Sequence, residues 1–302
     1  MEPELFADLH NHTTASDGDF TPEKLVSQAK ALGIKALGVT DHDTLGGLSK
    51  ALKAGDALGI EVIPGVEVSI RFKRPDFTGT LHLLCYFSRK RLADPSFVRT
   101  FEAILAQGRG EGLVRDRIQQ INLWFGPWGE SPQLKRNLVF EDIAVYSSNA
   151  SRRHFALALA QRLGLEDKDI IHLIIGNNSP AYLPSGIDLD QGKALIQDLN
   201  LLAVLAHPAA GSFSGPGHYK EVLPPLEMVE RILPEFIQAG IQGLEVYYPG
   251  HMEAHRQILL AWAKTHGLLV TGGSDCHDAM ARPLGVSGIS EWEFNLLKEA
   301  IL

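Results

Sequence analysis

Short apolar runs that end in polar residues recur along the chain, and stretches of helical periodicity separate them. "LFADLHNH" is followed by "TPEKLVSQAKALG", where Thr21 can cap a helix, Pro22 suits its first turn and Gly33 can end it. "ALGVTDHD" reads as a strand and "TLGGLSKALKAGDALG" as a helix, while "EVIPGVEVSI" and "TLHLLCYF" read as two further strands. The rhythm returns at "LLAVLAHP", "GLEVYYPG" and "LLVTGGSDCH", with helical segments over Leu226–Ala239 and His251–His266 between them. Strand alternating with helix predicts an α/β fold built on a parallel sheet, open or closed into a barrel.

From about Pro95 to Asp190 the strand rhythm lapses. Helical patterns dominate in "PSFVRTFEAILAQGRGEGLVRDRIQQI" and "ASRRHFALALAQRLG", and the intervening "FGPWGESPQLKRN" reads as loop. The expected organisation is one α/β core made of residues 1–95 and 191–302, with residues 96–190 as a helical insertion that caps the substrate site.

Apolar residues fill 45% of the 302 positions and charged residues 21%, which suits a soluble globular protein able to bury a core. The net charge of −8 argues against a general grip on long nucleic acid but leaves room for a local cationic site made by metal ions. Two cysteines, Cys85 and Cys276, make a disulfide framework improbable and suit a reducing cytoplasm. "MEPELFADLH" lacks the basic start and apolar stretch of an export signal, and no apolar run reaches membrane-spanning length. A soluble cytoplasmic protein is expected.

The polar endings share one chemistry. The first apolar run ends at His10 and His12, the second at Asp41-His42-Asp43; Glu67 lies in the third and His82 in the fourth. His207 ends "AVLAHP", and Asp275 and His277 end "LLVTGGSDCH". Parallel α/β folds gather the carboxyl ends of their strands on one face, so these scattered residues should converge. Residues two apart on a strand point to one side, which pairs His10 with His12 and Asp275 with His277. Histidine with carboxylate is a ligand set for zinc, manganese or iron.

"DLHNHTTASDG", "GVTDHDTLGG", "IPGVEVS", "AHP" and "GGSDCH" resemble, in order, the motifs of the PHP (polymerase and histidinol phosphatase) metal-dependent phosphoesterases. The resemblance covers about residues 5–90 and 195–285. It implies a distorted (β/α)7 barrel holding two or three divalent ions, manganese, iron or zinc. Carried over by motif, one ion would take His10, His12, Glu67 and Asp275, and a second Glu67, His82 and His207. A third would take Asp17, His42 and His277. The amidohydrolase superfamily also opens with His-x-His, but typically bridges its ions with a carboxylated lysine, and no strand end here offers a lysine. A non-catalytic metal-binding PHP module, as found attached to some polymerases, is a further alternative; the full ligand set argues against it.

Three divalent ions among three acidic ligands would leave roughly +3 at the site, which favours hydroxide and a phosphate ester. The expected reaction is attack on phosphorus by a metal-bound hydroxide held by His10, His12, Glu67, His82, His207 and Asp275. "SNASRRHFALALA" resembles the helix start of PHP enzymes that act on nucleoside 3′,5′-bisphosphates and short 5′-phosphorylated RNA. The resemblance implies that Arg152 and His154 grip a second phosphate, with Arg153 as a solvated neighbour. Tyr182 and His251 are further substrate-contact candidates, whereas His255 and His266 read as exposed helix residues. Two cations frequent in that branch are missing: the loop before Tyr182 reads "IGNNSPAY", and "HPAAGSF" follows the His-Pro with small residues. A small phosphorylated partner is thus expected, a nucleotide or short oligonucleotide first and histidinol phosphate or another monoester second, with oligomeric state open.

Overall fold

The computed structural model describes residues 5–75, 77–147, 150–215 and 223–301. The first half runs β1 (Ala7–Asp8), α1 (Pro22–Ala31), β2 (Ala36–Val39), α2 (Leu48–Leu58), β3 (Glu61–Arg74) and β4 (Phe77–Tyr86). Helices α3 (Pro95–Leu105), α4 (Glu111–Phe125), α5 (Phe140–Ala144), α6 (Arg152–Leu157), α7 (Lys168–Ile175) and α8 (Leu189–Asp198) follow. The alternation then resumes with β5 (Leu202–Leu205), α9 (Leu226–Ala239), β6 (Gly243–Tyr247), α10 (Glu253–His266), β7 (Leu269–Gly272) and α11 (Glu291–Ile301).

The seven strands form one sheet in sequence order. Beyond the strand ends, Leu9 N–H donates to Gly272 O at 3.2 Å and His12 N–H to Cys276 O at 2.9 Å, which nearly closes the sheet into a barrel. The buried Asp8 carboxylate reinforces this seam, accepting from Ser274 N–H at 2.9 Å, Ser274 Oγ at 2.5 Å and Gly285 N–H at 3.0 Å. The expected α/β barrel is therefore present, but it is not parallel throughout. β4 runs antiparallel to both β3 and β5, while the other pairs are parallel. Only residues 75–76 separate β3 from β4, too few for a crossover helix, so the chain can only turn back as a hairpin.

Local chemistry sets several boundaries. Thr21 Oγ1 accepts from Lys24 N–H at 3.2 Å and Pro22 starts α1, as the sequence suggests. The single helical pattern after Pro95 is split: α3 and α4 are separated by a break at which Gly110 takes a φ of 101°. One strand face packs Val66, Val68, Leu83, Leu205, Leu244 and Val246 against the outer helices. The alternate face packs Ile63, Leu84, Tyr86, Leu202 and Val204, with Phe294 and Leu297 of α11 in the same cluster. A separate cluster, with Phe125, Ile143, Phe155 and Ile174 among its members, forms between α4 and the chain after α7. No helix among the described residues is long and apolar enough to cross a membrane.

Candidate metal centre

The four named strand ends β1, β2, β5 and β7 carry His10 and His12, His42, His207, and Asp275 and His277 just beyond them. Glu67 lies inside β3. His82 reaches the same place from inside β4, where Ser69 is its register partner, and not from a carboxyl end, because its strand runs the other way. Among the described residues, three of the four non-glycine positions with positive φ sit here: Asp43 (47°), His207 (33°) and Asp275 (50°). Such backbone is strained for a residue with a Cβ, and it turns these side chains out of the strand repeat. Gly273 is required for close approach, since a Cβ there would lie 2.4 Å from His10 N.

Glu67 is the hub. Its Oε2 is 3.1 Å from His10 Nε2, 3.0 Å from His12 Nε2 and 3.3 Å from His42 Nδ1. Its Oε1 is 2.9 Å from His82 Nδ1 and 3.1 Å from His207 Nε2. Asp275 Oδ1 lies 3.2 Å from His12 Nε2 and 3.3 Å from His277 Nδ1, and Asp17 Oδ1 lies 3.2 Å from His277 Nε2. Among the described residues the candidate ligand atoms fall into three groups, each within 4.8 Å: His10, His12, Glu67 and Asp275; His42, Glu67 and His82; and His12, Asp17, His42 and His277. The first group has the membership carried over by motif. In the second, His42 joins Glu67 and His82, with His207 3.2 Å from His82; in the third, His12 joins Asp17, His42 and His277.

These residues fit divalent ions. Nε2 of His10, of His12 and of His277, together with Glu67 Oε2, are buried without a hydrogen-bond partner although neighbouring nitrogens and oxygens stand about hydrogen-bond distance apart. They meet no hydrogen-bond geometry with one another, as expected of donor atoms that converge on shared cations. Charge agrees. Burial pulls the His12 imidazole down, but Asp275 and Glu67 outweigh it and hold it up at about 9. Burial likewise raises Glu67, yet His42, His10 and His82 take it well below the usual carboxylate range. The acids thus favour positive charge at His12, while burial pushes His42 well down.

The supporting contacts include residues that the sequence reading missed. Glu245, fully buried in β6, accepts from His10 Nδ1 at 3.0 Å and from His207 N–H at 2.7 Å. Tyr248 donates to Asp275 Oδ2 at 3.1 Å. Asp41 accepts from Thr13 N–H and Ser16 Oγ at 2.7 and 2.6 Å, and so fixes the loop that carries Asp17. An apolar strand containing one acid was the available signal for Glu245. Arg282 Nη1 lies 3.6 Å from Asp275 Oδ2, and burial pushes its guanidinium down to about 10.

The substrate candidates divide. Arg152 donates to Asn177 Oδ1 at 2.6 Å and lies 5.4 Å from the centre of the Tyr182 ring. Beside them Arg117, also missed, donates from Nε and Nη2 to Leu183 O at 2.9 and 2.7 Å. Burial, then the neighbouring Arg109, pushes the Arg117 guanidinium down to about 9. Arg117, Arg152 and Tyr182 line one small cavity of about 30 Å³, together with Phe155, Ile174 and Leu183. α6 has only six residues before it widens into a π-turn, so its dipole offers little to an anion. His154 Nδ1 accepts from Ser151 N–H at 2.9 Å, which leaves the proton of the neutral ring on Nε2.

His251, expected as a substrate contact, is buried, with Ala209 N–H donating to Nε2 at 3.1 Å and Nδ1 2.9 Å from Val246 O. Both ring nitrogens therefore serve the backbone, and burial pushes the imidazole down to about 3. His255 is buried as well, taking Met252 N–H on Nδ1 at 3.3 Å. Nor is Arg153 merely solvated, because it donates to Asp19 at 2.9 Å.

Residues 8–131 match the PHP domain family. A 5′-3′ exoribonuclease of Haemophilus influenzae is 26% identical over 274 residues, which span 89% of each chain. A 3′,5′-nucleoside bisphosphate phosphatase of Chromobacterium violaceum is 27% identical over 278 residues, spanning 89% of this chain and 86% of that one. The crystal structure of a candidate metal-dependent phosphoesterase from Bifidobacterium adolescentis shares the fold with a TM-score of 0.75 at 25% identity, covering 100% of this chain and 98% of that one.

Proposed function

We propose that this chain, of which residues 8–131 match the PHP domain family, is a metal-dependent phosphoesterase whose substrate carries two phosphates, as a nucleoside 3′,5′-bisphosphate or a short 5′-phosphorylated oligonucleotide does. The observation that carries this reading is a second cationic pocket beside the metal centre. Arg117 and Arg152 give the hydrogen bonds named above to neutral groups, a carbonyl and an amide, so their charge is available to an anion. Arg109 links the two places: it pairs with Asp43, next to His42, and its charge is felt at both Arg117 and His154. The two nucleotide-directed relatives support the same substrate class.

Divalent ions in the centre would lower the pKa of a bound water and polarise a phosphoryl oxygen. The chain's own residues do the rest. Glu67 joins the groups through both oxygens, while Glu245 and Tyr248 orient His10 and Asp275. Arg282 places a guanidinium beside Asp275, where it can meet the anionic ester. His154 offers an Nε2–H donor from a ring held by Ser151. Arg152 and Arg117 hold the phosphate that is not cleaved, which fixes the reacting ester and so contributes by positioning.

The test is a substrate panel on manganese-loaded protein: 3′-phosphoadenosine 5′-phosphate, 5′-phosphorylated dinucleotides, histidinol phosphate and an aryl phosphate. Higher kcat/KM on the substrates with two phosphates is expected. Equal turnover of the aryl phosphate or histidinol phosphate would remove the two-phosphate reading.

A further inference from the structure

The group formed by His12, Asp17, His42 and His277 differs from the first group in what holds it. In the first, His10 and Asp275 are braced from the barrel, by Glu245 in β6 and by Tyr248 just after it. In the other group, each of the loops carrying Asp17, His42 and His277 is also tied to the helical segment between β4 and β5, and each tie is an arginine on an aspartate within two residues of the ligand.

Arg153, at the start of α6, donates to Asp19 Oδ1 at 2.9 Å and has Nη1 3.9 Å from Asp278 Oδ2. Asp19 lies two residues after Asp17, and Asp278 directly follows His277. The two loops are themselves joined, since Asp19 N–H donates to His277 O at 2.7 Å. Arg109, in the break between α3 and α4, pairs through Nε with Asp43, the residue after His42. Both side chains of that pair are buried, and Asp43 also accepts from Ser69 N–H at 2.7 Å.

We propose that Arg109 and Arg153 are positioning residues for the four-residue cation site, so that its affinity for an ion depends on how the helical segment is seated. These contacts end on aspartates beside the ligands, and they hold the loops at the spacing the ligands need. Linkage makes the effect reciprocal: an ion bound there tightens the segment over the barrel. The inference rests on the metal-binding reading above.

Manganese titration by calorimetry, with metal content counted per chain, tests it on the whole protein. Arg153→Gln and Asp19→Asn break the more exposed tie from either side, and Arg109→Gln breaks the buried one. Arg153→Gln should weaken one class of ion about tenfold and leave the tighter class within twofold. Arg153→Lys should recover part of the loss. Unchanged affinities in both Arg153→Gln and Asp19→Asn overturn the proposal, whether or not Arg109→Gln folds. A parallel fall in every class also overturns it, because the arginines would then be general structural supports. Wild-type protein that takes up no ion would instead defeat the metal-binding reading itself.

Discussion

Glu245 and His10 meet at 3.0 Å across the barrel, where neither side chain is exposed to solvent. One carboxylate oxygen fixes the Nδ1 side of the ring, and the other accepts from the His207 backbone at 2.7 Å. Nε2 of His10 is thereby turned toward Glu67 and Asp275. Glu245→Gln keeps the shape but removes the charge that makes the imidazole a strong ligand. Manganese affinity should fall about 10- to 100-fold with circular dichroism unchanged. Affinity equal to wild type would show that the ring needs no such partner.

Stability should depend on pH in the metal-stripped protein and lose that dependence when metal is bound. In the chelator-stripped protein, acids hold His12 up at about 9, whereas the unfolded imidazole titrates near 6.5. A raised pKa contributes stability that is fully present below 6.5 and lost as pH rises through about 9. The stripped protein should therefore lose up to about 3 kcal/mol between these limits, at about 1.4 kcal/mol per pKa unit. Saturating manganese should abolish that slope, because the ion takes the proton's place. Denaturant melts at several pH values, with and without metal, measure both curves.

Arg152→Ala and Arg117→Ala should act on substrates according to their charge. Loss of a hydrogen bond to a charged group costs about 1.5–3 kcal/mol, which corresponds to roughly 10- to 150-fold in kcat/KM on a bisphosphate. On an aryl phosphate, which has no second phosphate, the same variants should stay close to wild type. Equal losses on both substrates would count against a phosphate-gripping role.

Asp8→Ala should weaken barrel closure. The change strands the buried donors of Ser274 and Gly285, at a cost of roughly 3 kcal/mol or more. The drop should appear as a lower denaturant midpoint with metal present, and Asp8→Asn should recover only part of it, since an amide cannot accept from every donor now served.

The sequence made most of the candidate ligands readable because His10, His12, His42, His207, Asp275 and His277 stand where apolar runs end, while Glu67 and His82 interrupt such runs. The helical stretch between the strands was readable from its change of period. What was hidden depends on contacts between distant residues. Glu245 looks like one more strand position until His10 and His207 are placed around it. Arg117 and Arg109 lie on helical or broken-helical pattern, where arginine ordinarily faces water. The reversal of β4 follows from a short connection, and period alone carries no strand direction. His154, His251 and His255 were readable as histidines, but their backbone duties were not.

The seam between β1 and β7 also has a temporal meaning. Six of the proposed ligands, His10, His12, Asp17, His42, Glu67 and His82, are translated early, while His207, Asp275 and His277 come from the last third of the chain. A ribosome-bound nascent chain therefore has the early imidazoles and acids in hand long before the strand that encloses them. Contacts of such sequence separation form late and slowly. Ion capture at full affinity should accordingly mark the end of folding, as a signal that the last strand has arrived.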